Sequence, residues 1–347
     1  MQKKGNKYGT HRVIEPKGVL PQPANKLDNN MDEIYDNEIL IDVQTLNIDS
    51  ASFTDICNFA NGDIEGIKKE ILYNVELQGK HRNRRTGSGG MLLGRVEKIG
   101  DALKGKIDLQ EGDKIATLVS LSLTPLRIDE ILEVRKDVDQ VDIKGKAILF
   151  ESGIYAKIPE DMPEKLALSA LDVAGAPAQV AKLCKPGQTV VLIGAGGKSG
   201  MLCCYEAKKR VGVTGKVIGM CHSERSTERL KKLGFCDYVF AGDASNPVAM
   251  MEKISELTNG EMADVTINNV NIPDTEMTSV LCTKNDGIVY FFSMSTSFTK
   301  AALGAEGVGS DVTMIIGNGY TKGHAEITLQ ELRENAELRK VFEELYA

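Results

Sequence analysis

VVLIGAGGKSGMLCCYEAKKR, residues 190–210, is the stretch that decides how this chain is read. Val190 to Ile193 is an uncharged β-branched and aliphatic run, the pattern of a strand buried on both faces of a parallel sheet. Glycines follow at 194, 196, 197 and 200, and Met201 to Arg210 then mixes apolar and charged residues at helical spacing. A strand, a glycine turn and a helix in that order form an anion site. Glycine lets backbone approach a ligand closely, and the free N–H groups at a helix start, with the positive end of its dipole, suit a pyrophosphate. The dinucleotide fingerprint fits in one of two ways. As G-x-G-x-x-G, Gly194 and Gly196 match and Ser199 takes the last place; with one more residue in the turn, Gly194, Gly197 and Gly200 are spaced by three. Gly197-Lys198-Ser199 also supplies the ending of a P-loop, but that motif needs glycine where Leu192 stands. A glycine turn with no ligand is the bland alternative.

What surrounds the turn favours the dinucleotide. Helical segments begin at Pro163 and run to Lys185. After the turn, strand-like and helical runs alternate: 216–220, 226–233, 238–240, 247–257, 264–267, 275–281 and 287–292. Such βα alternation predicts a doubly wound parallel sheet whose ligands sit at the carboxyl ends of its strands. The first half reads differently, as short strands between turns: 38–46, 91–100 and 111–116. Thr54 and Asp55 read as helix-start residues. The basic tract Lys80 to Arg85 reads as a solvated loop. The expectation is an α/β protein with a β-rich domain over 1–160 and a dinucleotide domain over 161–323. A helical end, about 324–347, packs back on the body.

With 347 residues, two domains are expected. A net charge of −7 argues against a nucleic-acid surface. No apolar run reaches the roughly 20 residues of a membrane span, and MQKKGNKYGTHR lacks a signal-peptide core, so a cytoplasmic protein with no membrane partner is expected. Seven cysteines without a C-x-x-C pair read as reduced, buried thiols.

Glu38 to Val43 with Thr54-Asp55, Gly94 to Gly100, Gly112-Asp113-Lys114-Ile115, Lys185 to Gly200 and Ala263 to Ile267 together resemble the medium-chain dehydrogenase/reductase family. That resemblance implies a GroES-like catalytic domain joined to a Rossmann domain. Family members that carry catalytic zinc hold it with two cysteines and a histidine. Here Ser52 stands where the first cysteine would, Thr86 to Gly90 lacks the histidine, and the third position falls near Ser169. No metal is expected, and polarisation is left to side chains.

Within the family, GTHRVIEPKGVLPQPA and TGSGGMLLGRVEKIGD resemble a branch that oxidises an amine of a small diamino acid. The resemblance implies NAD, hydride loss from the amine-bearing carbon and hydrolysis to a ketone and ammonia. An ammonium must lose a proton before its carbon gives up hydride, and carboxylates are natural acceptors; Asp55, Asp172 and Glu151 are the candidates. Arg12, Arg84 or Arg95 could meet the substrate carboxylate. For the dinucleotide the candidates are Gly194, Gly196, Gly197, Lys198, Ser199 and Gly200, with Thr54, Asn268 and Ser293 beside the nicotinamide half. The acidic residue nearest the usual place for the ribose 2′-hydroxyl, Glu224, comes slightly late. His222, Ser223 and Arg225 stand there instead, so the residues alone leave NADP open. Apolar final strands suggest a homodimer. A metal-free NADP-dependent carbonyl or enone reductase, or a dinucleotide sensor without catalysis, are the competing readings.

Overall fold

The computed structural model describes residues 2–317 and 319–347. The chain divides into two units, Met1–Leu168 and Ser169–Ala347.

In the first unit β1 (Val13–Glu15) and β2 (Lys26–Leu27) form a small ladder. The main elements follow as β3 (Glu38–Ile48), α1 (Ser50–Phe59), α2 (Ile64–Gln78), β4 (Gly90–Ile99), β5 (Lys114–Thr117), β6 (Leu126–Arg135), β7 (Gln140–Phe150), β8 (Tyr155–Lys157) and α3 (Glu164–Leu171), the last of which crosses the unit boundary. The six-stranded sheet runs β6-β7-β3-β4-β5-β8 with every pairing antiparallel. Its core packs Ile41, Leu46, Leu92 and Ile115 with Phe53 and Ile56 of α1 and with Ile67, Ile71 and Val75 of α2. The second of these helices is not expected from the sequence. Ile67, Ile71 and Val75 recur at helical spacing in α2, but the charged residues set between them hide the stripe.

Two expectations are corrected in this unit. Helix α1 starts at Ser50, capped by Asp49, so Thr54 and Asp55 lie a turn inside it. The basic tract is a solvated loop only in part: Arg84 and Arg85 are exposed, but Lys80, His81 and Asn83 are buried. The Lys80 ammonium donates to the carbonyls of Pro21 (2.6 Å) and Gln22 (2.9 Å), tying the N-terminal arm to the body, and burial lowers its pKa to about 7.

The second unit holds α4 (Gly175–Leu183), β9 (Thr189–Ile193), α5 (Lys198–Val211), β10 (Lys216–Cys221), α6 (Glu224–Leu233), β11 (Tyr238–Ala241), α7 (Pro247–Thr258), β12 (Ala263–Asn268), α8 (Glu276–Leu281), β13 (Thr283–Phe291), α9 (Phe298–Val308), β14 (Val312–Ile316), α10 (His324–Glu334) and α11 (Ala336–Tyr346). Its sheet is parallel throughout, in the order β11-β10-β9-β12-β13-β14. Numbered within the unit this is 3-2-1-4-5-6, the doubly wound order whose switch point lies between the first and fourth strands, here β9 and β12. Among the described residues no helix is long and apolar enough to cross a membrane. All seven cysteines are free. Burial pushes Cys184 and Cys282 up to about 12 and holds Cys203 and Cys204 well above the ordinary thiol range, so these sulfurs stay protonated.

Helix α10 packs on α4 and α5 and buries Glu331 with no hydrogen bond to either carboxyl oxygen among the described residues. Burial, and then the nearby Glu206 carboxylate, push its pKa well above the carboxylate range. The folded chain therefore holds this proton more tightly than the unfolded one. That contribution is complete below the unfolded pKa and is lost as pH rises toward the folded value. Glu331→Gln is expected to raise the melting temperature at pH 8, with the gain closing toward pH 4, as read by calorimetry across that range.

Candidate functional site

The candidate nucleotide half is the β9–α5 turn. Gly194 has a φ of +82°, the left-handed conformation that turns the chain out of the strand. A Cβ on Gly200 would sit 2.2 Å from the Gly194 carbonyl oxygen, so its bareness is what lets α5 lie against the turn. Gly197 is the N-cap of α5, with no side chain capping the helix, and a Cβ there would meet nothing closer than 3.5 Å. Protein packing does not explain that glycine. An uncapped helix start above open space fits a pyrophosphate held by backbone N–H groups. Those contacts match the spacing by three, while Gly196 makes room for α6, where its Cβ would strike Ser226.

Around this turn, the Lys198 ammonium pairs with Asp172 at 2.6 Å and lies 5.9 Å from the centre of the Tyr346 ring. Arg229 donates to the Gly196 carbonyl at 2.6 Å, and its Nε is buried without a partner among the described residues. Ser199 is buried in the first turn of α5. Cys221 ends β10, and the candidates for the adenosine ribose follow it. His222 and Arg225 are exposed, while the Ser223 hydroxyl caps α6 by accepting from the Ser226 N–H. Asn268 corrects its expected role. Its amide spends both donors on Thr275 and Ser279, each at 2.9 Å, and its oxygen accepts from Val270, so it locks the strand-end turn. Ser293 accepts from the Ser295 N–H at 3.1 Å in another such turn.

The second cluster belongs to the first unit, where α1 begins and the loop 81–90 folds over it. Gly89 and Gly90 allow that approach: a Cβ on Gly90 would lie 2.1 Å from the Asn47 carbonyl, and one on Gly89 2.6 Å from the Ser122 nitrogen. The Ser52 hydroxyl, wholly buried, bonds to Thr86 at 2.5 Å and to Ser88. Ser88 in turn donates to Asp49 at 3.3 Å. One helical turn on, Asp55 accepts from Asn83 (2.8 Å) and Arg85 (2.6 Å); burial raises its pKa, but those two bonds outweigh it and the net shift is downward. Thr54 is exposed beside it. Arg84 bonds to Glu70 and Asn74 and lies over the Tyr73 ring.

Three expected residues stand elsewhere. Arg12 is 1% exposed and its five N–H donors are all taken, by Glu38 twice and by Asp28, Asn30 and Glu33, so it has none left for a substrate. Glu151 is exposed and accepts from Asn37. It follows Phe150, which pairs with Glu38, whereas the hydroxyl cluster adjoins Ile48 at the other end of β3, about 33 Å away at ~3.3 Å per residue. Arg95 is exposed, opposite Asp42, and donates to the Gly112 carbonyl. Asp49, Asn83, Arg85, Ser88, Arg229 and Tyr346 were not anticipated. Asp49 had a legible signal, an acidic residue directly between a strand and a helix; Tyr346 had none.

His81 lies under the same loop with its ring wholly buried and neither nitrogen bonded among the described residues; burial lowers its pKa to about 4. Protonation then favours the unfolded chain, so stability should fall as pH drops from about 6.5 to about 4, by roughly 3 kcal/mol in all. His81→Phe should flatten that part of a urea-stability profile.

No three His, Cys, Asp or Glu side chains converge as metal ligands would among the described residues. At Ser52 the donors are neutral hydroxyls, which do not suit zinc. A parallel sheet of order 3-2-1-4-5-6 opening on a glycine turn, together with an antiparallel β unit, is the fold of the medium-chain dehydrogenase/reductase class, whose members work with a nicotinamide dinucleotide. Solved structures share the fold. A mycobacterial quinone oxidoreductase aligns with a TM-score of 0.54 at 15% identity over 94% of this chain and 87% of its own; an alcohol dehydrogenase from a Thermus species reaches 0.55 at 17% over 89% and 86%. Residues 11–159 match the family described as L-erythro-3,5-diaminohexanoate dehydrogenase N-terminal domain, and residues 199–317 match the zinc-binding dehydrogenase family. The L-erythro-3,5-diaminohexanoate dehydrogenase of Acetoanaerobium sticklandii is 64% identical over 343 residues, and that of Fusobacterium nucleatum 62% over 344, each covering 99% of both chains. The chain belongs to the L-erythro-3,5-diaminohexanoate dehydrogenase family and is an oxidoreductase.

Proposed function

We propose that this chain is a cytoplasmic NAD-dependent dehydrogenase that deaminates L-erythro-3,5-diaminohexanoate to 5-amino-3-oxohexanoate and ammonia in anaerobic lysine fermentation, without catalytic zinc. The observation that carries the reading is the 64% identity, over 99% of both chains, to a relative of that name. The balance is one ammonium substrate, NAD and water giving ketone, NADH, ammonium and one proton. Bound dinucleotide accepts the hydride from the amine-bearing carbon.

The second unit holds the dinucleotide: the bare Gly197 and the N–H groups at the start of α5 cradle the pyrophosphate, with Lys198 and Arg229 offsetting its charge. NAD rather than NADP follows the family resemblance; the exposed His222 and Arg225 are the side chains that a 2′-phosphate would have to meet. The first unit holds the substrate. Asp55, kept ionised by Asn83 and Arg85, attracts an ammonium group, and Arg84 and Arg85 are nearby cations for the carboxylate. The neutral hydroxyls around Ser52, with no three His, Cys, Asp or Glu side chains converging there among the described residues, support a metal-independent reaction. A homodimer is supported by β14, a sheet edge paired only with β13, and by the exposed Met294, Phe298, Leu303 and Ile316. The test is the initial rate of NADH or NADPH formation from L-erythro-3,5-diaminohexanoate: kcat/KM at least 100-fold higher with NAD is expected, and a preference for NADP would overturn the cofactor assignment.

A further inference from the structure

Resting on the deaminase reading, we infer that Thr86, Ser52, Ser88 and Asp49 form a proton path that carries the substrate's ammonium proton away before hydride transfer. The chain of contacts is continuous. Thr86 Oγ1 is 2.5 Å from Ser52 Oγ, Ser52 bonds to Ser88, and Ser88 Oγ donates to Asp49 Oδ1 at 3.3 Å; the direct Thr86–Ser88 contact is longer than the Thr86–Ser52 one, at 3.3 Å, so the tighter route runs through Ser52. Its ends differ in character. Thr86 is exposed and Ser52 is wholly buried, so the path enters from a surface-accessible hydroxyl and passes beneath the loop. Asp49 closes it with an oxygen to spare. Its Oδ1 accepts from the Ala51 and Ser52 N–H groups at the start of α1, and among the described residues nothing donates to Oδ2.

The other carboxylates that could take this proton are occupied or misplaced. Asp55 is bonded by Arg85 and Asn83 and held below the ordinary carboxylate range, Asp172 is paired with Lys198, and Glu151 stands at the far end of β3. Asp49 touches no cation in the described structure. In the step, an N–H bond of the ammonium breaks as Thr86 Oγ1 takes that proton and passes its own to Ser52. Ser52 passes its proton to Ser88, and Ser88 forms the new O–H bond on Asp49. Each hydroxyl ends with one proton, the substrate amine gains a lone pair, and the Asp49 proton leaves to water as the one proton of the balance. Thr86 is the catalytic residue here; Ser52, Ser88 and Asp49 act through it.

Asp49 also caps α1, and asparagine caps a helix as well as aspartate does. Asp49→Asn therefore removes the proton acceptor and keeps the cap. In the full-length protein with L-erythro-3,5-diaminohexanoate and NAD, Asp49→Asn and Ser52→Ala should each lower kcat by about 100-fold at pH 7, with KM for NAD within twofold, and Asp49→Asn should leave the melting temperature unchanged. The defect should shrink toward pH 10, where substrate amine is already deprotonated in solution. The double variant should be no slower than the slower single one. A kcat for Asp49→Asn within twofold of the unaltered protein, a defect that stays constant from pH 7 to 10, or a loss that tracks the melting temperature would overturn the path. Absence of turnover in the unaltered protein would instead remove the deaminase reading on which it rests.

Discussion

Gly200→Val should destabilise the second unit by roughly 3 kcal/mol or more and abolish dinucleotide binding, while Gly197→Ala should leave stability intact and raise KM for NAD by about tenfold. The contrast comes from what each new Cβ meets. At Gly200 it lies 2.2 Å from the Gly194 oxygen and 2.7 Å from the Ala195 Cα, both backbone atoms that no rotamer change can move. At Gly197, φ is −84° and the nearest atom is 3.5 Å away, so alanine fits the free protein and intrudes only where a pyrophosphate would approach. Thermal melts with and without NAD separate the two. Equal melting temperatures for Gly200→Val and the unaltered protein would contradict the packing argument, and an unchanged KM in Gly197→Ala would show that the open cradle holds nothing.

Arg12→Ala should cost the first unit about 3–5 kcal/mol at pH 7, because it strands the wholly buried Glu38 carboxylate. In the intact protein, burial pushes the Glu38 pKa up, but the bonds from Arg12 and then His11 outweigh it and the net shift is downward. That contribution is present above the unfolded pKa of about 4.3 and is lost as pH falls through the lower folded value. Without Arg12 the sign reverses: Glu38 becomes easier to protonate when folded, and the variant loses stability as pH rises above about 4.3. The difference between the two proteins in urea unfolding should therefore be largest near neutrality and narrow toward pH 4. Pairing Arg12→Met with Glu38→Leu should recover much of the loss, since replacing both partners removes the uncompensated charge.

The Rossmann half was legible because its signals are local. Val190 to Ile193 is too apolar for a surface strand, and the glycine turn and the βα alternation each follow from a few adjacent residues. The spacing of the glycines was ambiguous in sequence; only the free space at Gly197 and the backbone contact at Gly200 separated the two fits. The first unit was harder. Helix α2 carries Lys68, Lys69 and Glu70 beside its apolar stripe, which blurred its periodicity. The hydroxyl path joins residues 34 to 39 apart in sequence, and no local pattern shows that Ser52 meets Thr86 or that Ser88 meets Asp49. Arg12 was offered as a partner for the substrate carboxylate because an arginine suits one, whereas its actual partner Glu38 lies 26 residues on and makes it a core ion pair.

Ammonia and NADH should be measured together after adding L-erythro-3,5-diaminohexanoate and NAD to protein stripped with a chelator. Equal amounts of the two products, at the rate of untreated protein, are expected for oxidative deamination by side chains alone. NADH without ammonia, or activity that returns only when zinc is added, would contradict it.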